Sequence, residues 1–327
     1  MSKNIVTMSL AALVLSCSSL SAVANDNDNI DQKRMVVSCD RELHFVDVPQ
    51  HAVSHDINMT EMMLALGLQK NMVGYTGVEA DKDNDKVLNQ YNHNLPSLSR
   101  RAPNIETLLA HKVDFLFAGW NYGLKVGGAL TPEKLAEFTI PVYELAESCI
   151  HIMDKQPGGF NDVYTDLLNL GVIFAQQKRA EQLVNQLKSQ IALLVEKQSK
   201  DTRKKSKPRV FLFDSGFDTP FTSGVYAMPQ AMIEAAGGDH IFSDLNASWT
   251  RVSWEAVINK NPEVIIIVDY GKVSAEEKIN FLVNESVLSD IEAIKNKRFI
   301  VLTYNEVTPS IQAVNATERL YDFIHSN

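Results

Sequence analysis

One stretch near the middle of the chain limits the possible folds more than any other feature. Residues 161–200 contain no proline, and no glycine follows Gly171 within them. Apolar residues recur through this stretch at the three- and four-residue spacing of a helix that buries one face. They are Val163, Leu167, Leu170, Ile173, Phe174, Ala180, Leu183, Val184, Leu187, Ile191 and Leu194. A pattern this long exceeds the usual helix of a globular protein, and it predicts a long connecting helix.

Strand and helix patterns alternate on both sides of that stretch. Predicted strands lie at 52–54, 72–75, 113–118, 140–145, 210–213, 264–268 and 298–303. Predicted helices lie at 61–66, which Asn58 or Thr60 can cap, at 105–110 after Asn104, from 131 onward, and at 229–236, 253–260 and 309–324. Such alternation indicates mostly parallel sheets with helices on both faces. The predicted fold is therefore α/β, with two Rossmann-like lobes joined by a long rigid backbone helix.

The N-terminus has the pattern of an exported protein. Lys3 lies in a short polar start, residues 5–15 are apolar, and the run ends in Ala22-Val23-Ala24. This order is typical of a signal peptide whose apolar core is too short to span a bilayer. An alternative is a lipoprotein anchored through Cys17, in the box Val14-Leu15-Ser16-Cys17. Both alternatives predict a periplasmic protein, with a signal peptide at 1–24, an N-terminal lobe at 25–155, a linking helix at 156–205 and a C-terminal lobe at 206–327.

Charge and cysteine content narrow the classes of partner. The chain has a net charge of −9, and an acidic surface disfavours binding to the phosphate backbone of nucleic acids. Cleavage after Ala24 leaves two cysteines, Cys39 and Cys149. In an oxidising compartment such a pair favours a disulfide over two free thiols. The sequence alone does not give the distance between them.

Motifs in both halves resemble a known family. In the first half they are AVS (52–54), TEMMLALG (60–67), VG (73–74), LP (95–96), PNIE (103–106) and DFL (114–116). In the second half they are PFTSG (220–224), GGDHIF (237–242), WTRVSWE (249–255) and NPEVIII (261–267). Their order and spacing resemble those of the periplasmic binding proteins for iron–siderophore complexes, haem and vitamin B12. The resemblance implies a monomeric protein that binds a metal-chelate ligand between its lobes and delivers it to an inner-membrane ABC permease with its ATPase.

The resemblance also implies a role for one glutamate on each lobe. In the family, a glutamate just inside a helix start docks on arginines of the permease, and the matching residues here are Glu106 and Glu255. A carboxylate in the first helical turn is also favoured by the helix dipole. An ordinary structural role is therefore the alternative for both residues.

Candidate ligand-binding residues lie in loops that follow the predicted strands, where ligands of α/β proteins bind. Trp120 and Trp249 match positions at which vitamin B12-binding relatives place ligand-contacting tryptophans, and packing is the alternative for each. Further candidates are Tyr75, Tyr122, Tyr226, Tyr304, His55, Arg100 and Arg251. The arginines would suit an anionic chelate, whereas Glu306, which follows Tyr304, would suit a cationic or hydroxyl-rich ligand. Solvent-facing arginines and a hydrogen-bonded structural His55 are the alternatives.

Other functional classes have less support. The eight histidines are scattered without paired spacing, which disfavours a bare zinc or manganese site and leaves no metal or cofactor predicted. The zinc-protease, serine-hydrolase and nucleotide-binding motifs are missing from the sequence, so the chain is not expected to be an enzyme. The predicted ligand is a ferric siderophore, the most numerous ligand class of the family. Vitamin B12 or haem is the alternative.

Overall fold

The computed structural model describes residue 1 and residues 34–78, 82–91, 94–200 and 206–326. Residues 2–24 of the predicted signal peptide, including Cys17, lie outside the described residues. Residues Arg34–Asn327 form one compact unit, to which everything below refers. Among the described residues, no helix combines the length and the apolar character needed to cross a bilayer.

The first lobe contains a central parallel sheet. Its elements are β1 (Arg34–Ser38), β2 (Arg41–Phe45), β3 (Ala52–His55), α1 (Ile57–Ala65), a 3₁₀ helix (Leu68–Asn71), β4 (Met72–Thr76), α2 (Lys82–Asn89), β5 (Ser97–Ser99), α3 (Ile105–Ala110), β6 (Phe115–Trp120), β7 (Gly123–Leu124), α4 (Pro132–Ala136), β8 (Val142–Glu144) and a 3₁₀ helix (Ala146–His151). The parallel strands have the order β5-β4-β3-β6-β8, with the short β7 also beside β6. Every residue of β6 is buried, as expected for a parallel strand covered on both faces.

The predicted long helix is in fact two helices, α5 (Phe160–Ile173) and α6 (Gln177–Lys200). Ala175, between them, has a φ of 53°, which a right-handed helix does not accommodate. The Nζ atom of Lys188 lies 5.3 Å from the ring centroid of Tyr164, so the helices run side by side as a hairpin. Both helices bury one face, and the apolar spacing therefore continues across the break and conceals it.

Helix α6 links the two lobes. Near its start, Arg179 Nε donates to the Ala65 carbonyl of the first lobe at 2.8 Å. Near its end, Lys197 Nζ lies 2.9 Å from Asp322 Oδ1 of the second lobe. At 1.5 Å per residue, its 24 residues span about 36 Å. The predicted fold class is confirmed, with α6 alone as the backbone helix.

The second lobe repeats the α/β arrangement. Its elements are β9 (Arg209–Phe213), β10 (Phe221–Ser223), α7 (Met228–Ala235), β11 (Asp239–His240), β12 (Trp249–Arg251), α8 (Trp254–Lys260), β13 (Val264–Asp269), α9 (Ala275–Asn284), a 3₁₀ helix (Ser286–Leu288), α10 (Glu292–Lys295), β14 (Phe299–Thr303), α11 (Tyr304–Val307) and α12 (Ile311–His325). The parallel strands have the order β11-β9-β13-β14, and β10 and β12 form a separate antiparallel ribbon.

Helix caps predicted from the sequence are partly confirmed. Asn104 Oδ1 accepts from the Thr107 amide at 2.7 Å, as predicted, whereas Ser253, predicted as the first residue of its helix, is the N-cap of α8. The predicted caps of α1 are wrong, because α1 begins at Ile57 and its cap is Asp56, whose Oδ1 accepts from the Ile57 amide at 2.8 Å. Asp56 directly follows β3, so this correction places a carboxyl group at the end of a central strand.

The predicted disulfide between Cys39 and Cys149 is confirmed. Their Sγ atoms are 2.05 Å apart and their Cα atoms 5.3 Å apart. The bond ties the turn of the β1–β2 hairpin, which the sequence analysis did not identify, to the 3₁₀ helix Ala146–His151. That helix contributes His151 to the cavity described next.

Candidate functional site

A cavity of about 290 Å³ lies between the two lobes. The first lobe contributes Asn121, Tyr122 and His151, and the second contributes Asp214, Phe221, Trp249, Tyr270 and Tyr304. Aromatic rings thus form most of the lining, with a carboxyl, an amide and an imidazole among them. This composition suits a ligand with both apolar faces and polar edges.

Parallel strands explain why these side chains meet. Asp214 directly follows β9, Tyr270 follows β13 and Tyr304 follows β14, and the carboxyl ends of parallel strands lie at one edge of a sheet. Tyr122 is brought back toward β6 by a tight turn in which Asn121 has a φ of 65°, a conformation that asparagine tolerates. The Tyr122 amide donates to the Gly119 carbonyl at 2.8 Å and closes this turn.

Each cavity-lining tyrosine donates its phenol proton to a carboxyl group. Tyr304 donates to Asp56 Oδ2 at 2.7 Å, and Tyr270 donates to Asp214 Oδ1 at 2.8 Å. The third pair is longer, with 3.4 Å between the phenol oxygen of Tyr122 and Glu147 Oε1.

Three hydrogen bonds around the cavity join the lobes. Trp249 Nε1 of the second lobe donates to the Tyr122 phenol oxygen of the first at 3.0 Å. The Met228 amide donates to Glu147 Oε2 at 2.7 Å, and the Tyr304–Asp56 bond also crosses between lobes. The structure therefore has a closed cleft, held by polar contacts on more than one side.

A single buried carboxyl group, that of Glu61, also fastens the two lobes together. Glu61 of α1 accepts from Asn305 Nδ2 at 2.9 Å and from Gln312 Nε2 at 2.6 Å, both in the second lobe. Tyr91 also donates to Glu61 Oε1, at 3.3 Å. Burial raises the pKa of Glu61, and the hydrogen bonds from these partners limit the rise. Glu61 therefore adds a further link between the lobes to the three hydrogen bonds around the cavity.

Burial also shifts the carboxyl groups nearest the cavity toward their neutral forms. It raises the pKa of Glu147 to about 8, helped by the charge of Asp162 and opposed by the Met228 amide. Burial raises the pKa of Asp56 to about 6, and the hydrogen bond from Tyr304 opposes it. The pKa of Asp214 is raised by burial as well. Perturbed carboxyl groups that converge on a cleft are typical of functional sites.

Three of the predicted ligand-binding residues, Tyr122, Trp249 and Tyr304, line the cavity together. Trp120 does not, because it is 5 % exposed within the first-lobe core and its Nε1 donates to Glu144 Oε1 at 3.0 Å. His55 is also buried, with Nδ1 3.0 Å from Thr76 Oγ1, and burial lowers its pKa to about 4. These contacts match the structural alternatives named for both residues.

The remaining predicted residues lie outside the cavity lining. Arg100 is exposed, and Arg251 Nη1 donates to the Thr219 carbonyl at 2.9 Å with its guanidinium 5.7 Å from the ring centroid of Phe221. Tyr75 and Tyr226 are partly buried, and neither lines the cavity.

Sequence reasoning missed five lining residues. They are Asn121, His151, Asp214, Phe221 and Tyr270. Asp214 directly follows the predicted strand 210–213, so the rule that identified Tyr304 would have found it. Tyr270 directly follows β13 as observed, but the predicted strand ended one residue earlier, at 268. His151 carries no such signal, because a 3₁₀ helix adjoining the disulfide brings it to the site.

Two larger grooves lie elsewhere on the surface. One, of about 640 Å³, runs along the α5–α6 hairpin, and another, of about 480 Å³, lies beside the disulfide. Both are more open to solvent than the interlobe cavity, where aromatic side chains and perturbed carboxyls converge from both lobes. Among the described residues, no cluster of three or more histidine, cysteine or carboxylate side chains could hold a metal ion.

The sequence matches the profile of a known protein family. Residues 53–305 match the sequence profile of the family described as periplasmic binding protein. One relative, a vitamin B12-binding protein from Pectobacterium atrosepticum, is 26% identical over 221 residues, which are 67% of this chain and 72% of that protein.

Solved structures show the same fold. A periplasmic binding protein from Veillonella parvula superposes with a TM-score of 0.73 at 27% identity, covering 89% of this chain and 97% of that one. A protein of an ABC-type Fe³⁺-hydroxamate transport system from Saccharomonospora viridis superposes with a TM-score of 0.74 at 20% identity, covering 89% and 99%. The second likeness concerns the fold alone.

Proposed function

The chain belongs to the periplasmic binding protein family, and from this premise we propose that it captures a bulky metal chelate between its lobes and delivers it to an inner-membrane ABC importer. The observation that carries the proposal is the aromatic cavity between the lobes. Tyr122 from one lobe and Trp249, Tyr270 and Tyr304 from the other present rings to one space. Such surfaces contribute large contact areas to a planar or globular chelate.

The size of the cavity requires the cleft to open. Pockets for small molecules measure about 300–1,000 Å³, and this cavity of about 290 Å³ lies at the lower limit. A ferric siderophore or a corrinoid therefore enters only after the lobes separate at this end. The contacts that must break are the three interlobe hydrogen bonds around the cavity, from Trp249 to Tyr122, from Met228 to Glu147 and from Tyr304 to Asp56.

Two ligand classes have support. We propose a ferric siderophore as the ligand, in agreement with the fold shared with the protein of the Fe³⁺-hydroxamate transport system. Vitamin B12 is the second candidate, because the Pectobacterium relative bears that name and aligns with two thirds of the chain. Haem is a weaker third candidate. Its two carboxylates would need cationic partners, and Arg100 and Arg251 lie outside the cavity lining.

Delivery is proposed to depend on Glu106 and Glu255. Each occupies the second position of a helix whose first-turn amides are capped by the side chain of Asn104 or Ser253. Both glutamates are exposed, so their carboxylates are available to arginines of a permease. The equivalent placement on the two lobes supports the docking role that the resemblance implies.

The docking proposal is tested by uptake with a double variant. Glu106→Ala with Glu255→Ala should abolish import while leaving the affinity for the ligand within about twofold, because neither residue lines the cavity and exposed substitutions perturb little. Glu276→Ala is the matched control, since Glu276 is an exposed glutamate at the second position of α9. Normal import by the double variant would remove the docking proposal.

The binding proposal is tested by tryptophan fluorescence. Trp249 lines the cavity, whereas Trp254 packs against Phe213 and Phe281 in the second-lobe core. Titration with ferrioxamine B, cyanocobalamin and haemin, corrected for ligand absorbance, should give saturable quenching with one of them. The quenching should diminish in Trp249→Phe and persist in Trp254→Phe. No saturable response to any chelate would overturn the proposed function.

A further inference from the structure

The polar groups that line the cavity offer more hydrogen-bond acceptors than donors. Tyr304, Tyr270 and Tyr122 each donate their only phenol proton to a carboxyl group, and Trp249 Nε1 donates to Tyr122. A phenol that has committed its proton interacts with a further polar group only through its oxygen lone pairs. Most polar groups of the lining are therefore acceptors, and ligand atoms that donate N–H or O–H protons fit them.

Positive charge is absent from this lining. Among the described residues that line the cavity, none is lysine or arginine. The two cations that act electrostatically on Asp214 have backbone partners: Arg251 Nη1 donates to Thr219, and Lys278 Nζ donates to the Val268 carbonyl at 2.5 Å. Lys278 also lies 4.9 Å from the ring centroid of Tyr270, and its charge acts on Asp214 directly, lowering the pKa of that carboxyl against the effect of burial. An anionic ligand thus has no side-chain cation to pair with in the cavity.

Asp214 is the carboxyl group that lines the cavity itself. It is 4 % exposed, and its Oδ1 accepts from both Ser215 Oγ at 2.7 Å and Tyr270 at 2.8 Å. Its Oδ2 accepts no hydrogen bond from a side chain or amide of the described residues. A carboxylate has about four acceptor positions, so Asp214 retains capacity for a donor from a ligand.

We propose, on the basis of the function above, that the cavity selects chelates with outward N–H or O–H donors and no net negative charge, and that Asp214 is the residue that sets this selectivity. Uncharged or cationic ferric hydroxamates and carboxamide-bearing corrinoids fit this chemistry. Ferric complexes of catecholates or polycarboxylates do not, because their negative charge would be desolvated beside acceptors and carboxyl groups. Haem is disfavoured for the same reason.

A matched series of ligands tests the proposal. Ferrioxamine B carries a pendant ammonium, its N-acetyl derivative carries none, and its N-succinyl derivative carries a carboxylate on the same iron-binding core. We expect affinity to fall in that order, with about tenfold or more between the ammonium and succinyl forms, as for a change of charge near a partly desolvated carboxylate. Cyanocobalamin and its monocarboxylic acid, made by hydrolysis of one side-chain amide, form an equivalent pair if the protein binds corrinoids.

Two variants assign the effect to Asp214. Asp214→Asn keeps an acceptor for Tyr270 and Ser215 but removes the charge, and should reduce the ammonium-to-succinyl ratio to about threefold or less. Asp218→Asn, at an exposed position of the same loop, should leave the ratio as in the wild type. Equal binding of the charged forms by wild-type protein would overturn the selectivity while leaving the chelate-binding function intact. Binding of no chelate at all would overturn both.

Discussion

The indole Nε1 of Trp249 lies 3.0 Å from the phenol oxygen of Tyr122, and this hydrogen bond joins the two lobes across the cavity. Trp249 is itself held by stacking on Phe221, with 6.0 Å between ring centroids. Tyr122 is almost fully buried and also contacts Glu147. The bond therefore connects two well-supported side chains, and any ligand larger than the cavity has to break it on entry.

Replacing Tyr122 with phenylalanine should accelerate ligand association. The variant keeps the ring but removes the acceptor for Trp249 and the donor to Glu147, so less free energy is needed to open the cleft. One hydrogen bond contributes about 0.5–1.5 kcal/mol, which corresponds to roughly a 2- to 12-fold change in rate. Stopped-flow quenching of tryptophan fluorescence measures this rate. An unchanged association rate would show that opening at Tyr122 does not limit entry.

The buried Glu147 should make stability fall as pH rises. Below about pH 4.5 the carboxyl is protonated in both the folded and unfolded chains, and the folded pKa is about 8. Between these values the folded protein holds a proton that the unfolded chain releases. The free energy of unfolding therefore decreases with rising pH, by up to about 1.4 kcal/mol per unit. The stabilisation that protonated Glu147 gives the folded protein is complete below pH 4.5 and is lost by about pH 8.

The effect of Glu147 on the free energy of unfolding is measured most directly between pH 6.5 and 8. His55 and His240 have pKa values lowered by burial to about 4 from 6.5, so their contributions to stability rise between pH 4 and 6.5 and oppose the effect of Glu147. Chemical denaturation between pH 6.5 and 8 avoids them. Glu147→Gln, which cannot ionise, should show a flatter pH dependence than the wild type there. If the stability of the wild type and that of Glu147→Gln changed equally with pH, Glu147 would not be the source of the pH dependence.

Local patterns predicted the elements better than the contacts between them. The cap at Asn104 and the buried strand around Val264–Asp269 follow from residue type and apolar runs, and both are confirmed. The break at Ala175 was missed because no glycine or proline marks it in the sequence. The positive φ of Ala175 depends instead on how the two helices pack together. The burial of Trp120 was missed because its position after a strand does not reveal the partner, Glu144, that holds it inside the first lobe.

Removal of the disulfide should lower stability substantially. The bond closes a loop with a sequence separation of 110 residues, and loss of such a bond removes about 2–5 kcal/mol of stability. Cys39→Ser with Cys149→Ser should therefore melt at a lower temperature than the oxidised wild type. Reductant should lower the melting temperature of the wild type and leave that of the double variant unchanged. A wild type insensitive to reductant under denaturing conditions would contradict this contribution.

A single glycine at the start of α5 should control how closely the lobes approach beside the connecting hairpin. Gly159 has a φ of 52° and a ψ of −122°, a conformation that glycine adopts readily and other residues do not. A Cβ atom there would lie 2.4 Å from the Cβ of Ala231 in α7 of the second lobe. Gly159→Ala therefore combines backbone strain, about 1–3 kcal/mol, with a steric clash between the lobes.

A control variant and a double variant separate the two effects. Gly127 also has a positive φ, of 69°, but a Cβ there would have no atom within 4 Å, so Gly127→Ala reports strain alone. We expect urea denaturation to show a larger loss of stability for Gly159→Ala. Adding Ala231→Gly should then recover part of that loss, although glycine within α7 itself lowers stability by about 1 kcal/mol. Coupling between the two sites in this double-mutant cycle would demonstrate the contact, whereas strict additivity would show that strain at Gly159 accounts for the whole effect.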